Sequence, residues 1–333
     1  MKGLIFKTLL SIALLSLIGL KTAQAETFSE NNLVFICFGQ SNMEGNAQPR
    51  DIDKTGVDGN RFKKMYCANS DGSNKGKWAS AYPPLCRKNT GMTPVDYFGR
   101  YLCDSLASQY KVYVIVVAIA GCSMLIFNKD KTECANYISQ QEAWMKNIVN
   151  NEYDGYPYGR IIEMAKKAQE IGVIKGVLLH QGETDAYNTD WMTRTNAVYR
   201  NMIEDLGLKV KNVPMLVGEV VNADQNGACA GANSTLNSFC NANSYAHIIS
   251  SSGCPAGVDN LHFTAEGYEM MGKRYGAVML ELLKKKGYLT KADVAPVTQE
   301  QQPQDSPIYN INGQQITAPT KGLNIINGHK YYF

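Results

Sequence analysis

Ser41 sits at the centre of the stretch VFICFGQSNMEGNA, Val34 to Ala47, where an apolar run gives way to a small polar cluster. A serine hydroxyl is a poor nucleophile at neutral pH. It needs a base, usually histidine, and the histidine needs a partner that fixes its tautomer. The chain has four histidines, at 180, 247, 262 and 329. His262 lies three residues after Asp259 in VDNLHFTAEGYEMMG, just before a helical pattern. Asp-x-x-His lets both side chains share one side of a single turn, so Asp259 receives the Nδ1 proton while Nε2 faces Ser41. The same spacing also serves plain helix capping, and Ser41 reads equally as a turn residue. Negative charge developing on a carbonyl oxygen would need fixed donors. The Ser41 N–H, the side-chain-free backbone of Gly121 and the Gln181 amide are the candidates.

The elements that must carry these residues alternate. Leu33 to Phe38, Val112 to Ala118 and Lys175 to His180 are short apolar runs that read as buried strands. Each ends in a polar cluster: Gly39-Gln40-Ser41, Gly121-Cys122-Ser123 and Gln181-Gly182-Glu183. Val213 to Val220, with Pro214 at its start, and Tyr245 to Ser250 supply a fourth and a fifth strand. Helices are expected from Pro94 to about Gln109 with Thr93 as N-cap, Tyr158 to Ile171, Asp190 to Leu206 and Thr264 to Lys285. This alternation predicts an α/β fold, a three-layer α/β/α arrangement around a mostly parallel five-stranded sheet. Sites in such sheets form beyond the carboxyl ends of the strands, where all three clusters fall. Residues 46 to about 90 read as a long aperiodic excursion.

Of the 333 residues, the first 25 read as a secretory leader: Lys2 and Lys7, an apolar run from Leu9 to Leu20, then Ala23-Gln24-Ala25. Its loss would remove three lysines and leave 30 basic against 30 acidic residues. That balance gives no footprint for nucleic acid, and no other segment is long and apolar enough to span a membrane. One large domain over 26–290, a linker over 291–307 and a small β tail over 308–333 follow, the tail from Asn-Gly pairs between β-rich runs. Nine cysteines in a secreted chain favour disulfides. Cys67 with Cys86, Cys229 with Cys240 and Cys122 with Cys134 are the expected pairs, while Cys37 and Cys103 read as buried thiols. The spacings resemble no metal site, and no cofactor is expected.

Taken together, GQSNM at 39–43, Gly121, HQGE at 180–183 and DNLHFT at 259–264 resemble the SGNH hydrolase superfamily. They look most like its sialate O-acetylesterase and acetylxylan esterase branch, carbohydrate esterase family 6, over residues 32 to 287. The resemblance implies an SGNH/flavodoxin-like fold with Ser41 as nucleophile, His262 as base and Asp259 as its partner. It implies an oxyanion hole from Ser41, Gly121 and Gln181, the last standing where the wider superfamily carries Asn. Ala120-Gly121 stands where relatives commonly carry Gly-Gly. Gln40, Asn42, Glu44 and Glu183 are then supports, Glu183 orienting the loop around Gln181. The implied activity is an O-acetylesterase acting on acetylated polysaccharide or oligosaccharide such as acetylxylan, with a secreted, periplasmic or cell-surface location. An esterase for acetylated sialic acid or pectin, a glycan-binding protein on the same scaffold and a lipase-like esterase are the rival readings. IYNINGQQI and KGLNIINGHK resemble C-terminal segments of secreted Bacteroidetes proteins, some of which direct sorting.

Overall fold

The computed structural model describes residues 27–294, 307–326 and 329–332. The leader and most of the expected linker lie outside them. The main sheet has seven strands rather than the expected five, in the order β3-β2-β4-β1-β5-β6-β7. They are β1 (Asn32–Gly39), β2 (Phe62–Met65), β3 (Trp78–Ser80), β4 (Lys111–Ala118), β5 (Val173–His180), β6 (Met215–Gly218) and β7 (Ala246–Ile249). All neighbours pair in parallel except β2 with β3. The two extra strands come from the stretch that reads as an excursion. In Phe62-Lys63-Lys64-Met65 only the end residues are buried, and β3 is three half-buried residues. Neither makes an apolar run.

The helices are α1 (Ser41–Glu44), α2 (Pro94–Ser105), α3 (Lys131–Ser139), α4 (Ala143–Tyr153), α5 (Pro157–Gln169), α6 (Trp191–Asp205), α7 (Ala232–Ala242) and α8 (Ala265–Lys284). Thr93 caps α2 in a reciprocal box with Asp96, and Pro94 fills the first turn. That helix stops at Ser105, short of the expected Gln109, because Leu106 turns extended and bridges to Thr290.

Side chains alternate across β1, so the sheet divides two cores. Val34, Ile36 and Phe38 pack with α5, α6 and α7; Leu33, Phe35 and Cys37 pack with α2 and α8. This is the three-layer arrangement. A separate four-stranded antiparallel sheet, β8 (Ile308–Asn310), β9 (Gln315–Ile316), β10 (Leu323–Ile326) and β11 (His329–Tyr332), forms the tail.

Register decides where the chemistry gathers. Gly39 at the end of β1 is level with Ala118 of β4 and with His180 of β5. The three polar clusters therefore emerge side by side, at the point where the chain crosses from one half of the sheet to the other. Gly39 has φ +151°, and a Cβ there would meet the His180 carbonyl at 2.1 Å, so only glycine lets β1 and β5 end this close together.

The expected disulfides are absent: all nine cysteines are free thiols. Cys67 Sγ donates to the Met65 carbonyl, Cys122 to Gly39 and Cys134 to Ile126. Cys229 Sγ donates to the Glu183 carbonyl. Burial pushes the Cys86 thiol up to about 12 and Cys240 to about 12, which holds both protonated.

Candidate active site

Ser41 opens the one-turn helix α1 directly after β1 and is 6% exposed. His262 Nε2 lies 2.8 Å from Ser41 Oγ, and His262 Nδ1 lies 2.6 Å from Asp259 Oδ2. Residues 221 apart in sequence thus form one hydrogen-bonded row. An ionised carboxylate only accepts, so Nδ1 carries the ring proton and Nε2 is left to accept from the serine. Asp259 Oδ1 also accepts the N–H groups of Leu261 and His262, each at 3.0 Å. Burial works against its ionisation. The His262 N–H, the His262 ring and the Leu261 N–H outweigh that and bring the carboxyl down from 3.8 to about 2.

The loop bearing Asp259 and His262 is held from both sides. The Gly257 N–H donates to the His262 carbonyl at 2.7 Å, and Thr264 caps α8 by accepting from the Gly267 N–H. Asn42 supplies the link to the nucleophile turn. Its Nδ2 donates to Glu183 Oε1 at 2.5 Å and to the Leu261 carbonyl at 3.0 Å. Its Oδ1 accepts from Tyr268 Oη at 2.7 Å. Gln40 does the same for the loop after β5, its Oε1 accepting the Thr184 N–H at 3.2 Å. Burial raises the Glu183 carboxyl above its ordinary value, against the pull of Asn42, its own N–H, His262 and the Gly182 N–H; among the described residues its buried Oε2 has no hydrogen-bond partner. Burial also raises Glu44, opposed by a two-pronged contact from Arg87.

The three donors expected for an oxyanion hole are not alike. Among the described residues, the N–H groups of Ser41 and Gly121 bond to no backbone carbonyl, and Gly121 turns at φ +67°, a conformation glycine adopts without strain. Gln181 differs. Its Nε2 donates to the Cys122 carbonyl at 3.2 Å and to Asp185 Oδ2 at 2.8 Å, while its Oε1 accepts from Trp191 Nε1 at 2.5 Å. Both amide protons are therefore already engaged within the fold. Asp185 and Trp191 are supports that the sequence did not reveal. Asp185 also accepts from Ser123 Oγ and from the Met124 N–H, each at 2.8 Å, and so ties the β4 and β5 loops together. Its only prior signal was its place four residues after Gln181.

Neither His180 nor His247 joins the row. His180 is wholly buried, and burial lowers it to about 3, so it stays neutral. His247 lines a cavity of about 920 Å³ with Lys175, Pro214, Tyr245 and Lys285, at the amino ends of β5, β6 and β7. That cavity is at the opposite end of the strands from Ser41 and contains none of the row. Among the described residues, no three His, Cys, Asp or Glu side chains cluster as metal ligands.

This geometry can carry out acyl transfer through serine. The family model for carbohydrate esterase, sialic acid-specific acetylesterase, matches residues 31–281. The chain belongs to that family. It is therefore a carboxylic ester hydrolase of the carbohydrate acetylesterase kind. Two solved structures share the esterase's fold. A protein from Arabidopsis thaliana is 17% identical with a TM-score of 0.58, over 75% of this chain and 98% of that one. NanS is 12% identical with a TM-score of 0.55, over 78% of this chain and 99% of that one. Among the described residues, no helix is long and apolar enough to cross a membrane.

Proposed function

We propose that this esterase removes O-acetyl groups from carbohydrate by a serine mechanism centred on Ser41, His262 and Asp259. The observation that carries the reading is the unbroken row from Asp259 Oδ2 to His262 Nδ1 at 2.6 Å and from His262 Nε2 to Ser41 Oγ at 2.8 Å. Ser41 Oγ attacks the acetyl carbonyl carbon while its proton moves to His262 Nε2. The carbonyl oxygen becomes an oxyanion, held by the Ser41 and Gly121 N–H groups. The imidazolium then gives its proton to the sugar oxygen. The sugar leaves as an alcohol and the acetyl group remains on Ser41. Water attacks the acetyl carbon next, one proton going to His262 Nε2; the bond to Ser41 Oγ then breaks, Oγ takes that proton back, and acetate leaves. Asp259 holds the ring and balances its charge while it is cationic. Gln181 would serve as a third donor only by surrendering one of its two present acceptors. Its role here is to fix the Cys122 turn.

Acetylated plant polysaccharide such as acetylxylan is the first substrate reading, supported by the motif resemblance; the even charge count of the chain without its leader is compatible with a neutral polysaccharide. Acetylated sialic acid is the second, favoured by the description of the matching family. Secretion is part of the proposal and is supported by the composition of residues 1–25. Acetate release from acetylated xylan and from acetylated sialoglycan, by wild type and Ser41→Ala, tests the whole. We expect release from one of the two, and a loss of at least ~10³-fold in the variant. Undiminished release by Ser41→Ala would overturn the mechanism. Binding of glycan without any release would favour a non-catalytic carbohydrate-binding protein.

A further inference from the structure

Trp144 is a large apolar side chain left 48% exposed, beside the turn that presents the Gly121 N–H. A Cβ built on Gly121 would lie 3.2 Å from Trp144 Cη2 and 3.6 Å from its Cζ2, so the six-membered edge of the indole rests against that glycine. The ring is firmly mounted. It is the second residue of α4, and that helix is anchored by the buried side chains of Met145, Val149 and Tyr153. Tyr153 Oη donates to the carbonyl of Ala118, the last residue of β4, at 3.4 Å. The helix that carries Trp144 is thus tied to the strand that delivers Gly121.

An acetyl group offers little surface to bind. Most of the binding energy for an O-acetyl sugar must come from the sugar, and energy gained there positions the ester for attack. A pyranose presents one face of C–H groups, and a flat aromatic ring is the natural surface for it: large, rigid and inexpensive to order. A wall of the acetyl pocket would be enclosed. Trp144 is half open and rests against the Gly121 turn, so its ring is accessible to a sugar carried by an ester held at that turn.

We propose that Trp144 is the stacking platform for a pyranose ring of the substrate, a residue that determines specificity for carbohydrate esters over simple ones. The proposal rests on the Ser41 reading above. Its test compares wild type, Trp144→Ala and Trp144→Phe on acetylated xylo-oligosaccharides, on an acetylated sialoglycan and on ethyl acetate, whose leaving group has no ring. We expect Trp144→Ala to lower kcat/KM on the better sugar substrate about tenfold more than on ethyl acetate, mainly through KM, and Trp144→Phe to restore most of it. Equal losses on sugar and ethyl acetate would mean that the indole merely shapes the Gly121 turn, and would overturn the proposal. So would an unchanged sugar reaction. If wild type cleaves ethyl acetate but neither sugar, the carbohydrate reading falls and the platform with it. A sugar-active wild type with an indifferent Trp144→Ala defeats the platform alone.

Discussion

Asp259 is an unusual orienting group because its side chain is 49% exposed. Water screens a charge in that position, so its hold on His262 must come from geometry more than from Coulomb attraction. Three hydrogen bonds supply it: the ring Nδ1–H and two backbone N–H groups. The sign of the pH effect follows. The folded carboxyl titrates at about 2 rather than 3.8, so its contribution to stability is complete above 3.8 and is lost as pH falls through about 2. Asp259 therefore stays ionised over any ordinary assay range and does not set the acid limb of activity. Asp259→Asn turns an acceptor into an amide that can offer N–H to a nitrogen needing to donate. We expect kcat/KM for acetate release to fall by roughly 10² to 10⁴ between pH 6 and 8. A fall of less than about fivefold would show that His262 needs no fixed tautomer.

At the scale of elements, the site is assembled by a helix of only four residues. α1 brings Ser41 to the end of β1, and Asn42 then bonds the loop after β5, the His262 loop and α8 at once. Asn42→Ala would leave Glu183 Oε1 without its donor, next to an Oε2 that already has none. It would also strip the Leu261 carbonyl and the Tyr268 hydroxyl of a partner. Buried groups left unpaired cost about 1–3 kcal/mol each, less where the site relaxes, so a loss of about 2–4 kcal/mol is expected. Thermal unfolding should then show Tm lower by roughly 5–15 °C, with kcat/KM down at least ~10²-fold as the His262 loop loosens. An unaltered Tm would mean that Asn42 clamps nothing. Legibility followed the same physics. β1, β4 and β5 were readable because strands buried on both faces make continuous apolar runs. Ser41, His262 and Asp259 were readable because they fall at or near the ends of legible elements. β2 was hidden because two lysines interrupt its buried positions. Asp185 and Trp191 were hidden because a polar support is defined by its partners, which lie on other elements. The cysteines misled because secretion argues for disulfides, whereas the fold buries most of these thiols against carbonyls and apolar side chains.

For the whole molecule, the question is where the catalytic body ends. The family match stops at residue 281 and α8 at Lys284. The next ten residues still belong to that body. The Ala107 N–H donates to the Leu289 carbonyl at 3.0 Å, the Lys291 N–H donates to Ser105 at 2.9 Å, and Leu106 bridges Thr290. These contacts close the end of α2, whose first turn is capped near the nucleophile loop by Thr93 and whose Phe98 packs on Phe35 of β1. Beyond residue 306 the tail has a hydrogen-bond ladder of its own, in four strands of two to four residues, with Asn324 and Ile326 buried among the described residues. A sheet that small buries too little apolar surface to contribute much to a body with two full cores. We propose that the tail is an appendage and that the esterase is complete by residue 294. A chain ending at Val294 should keep kcat/KM for acetate release within about twofold and Tm within a few degrees. A chain ending at Lys284 should lose several degrees, because the carbonyl of Ser105 and the N–H of Ala107 lose their partners. Equal behaviour of the two truncations would place the boundary before the Leu289 contacts. Inactivity of the longer one would make the tail part of the enzyme.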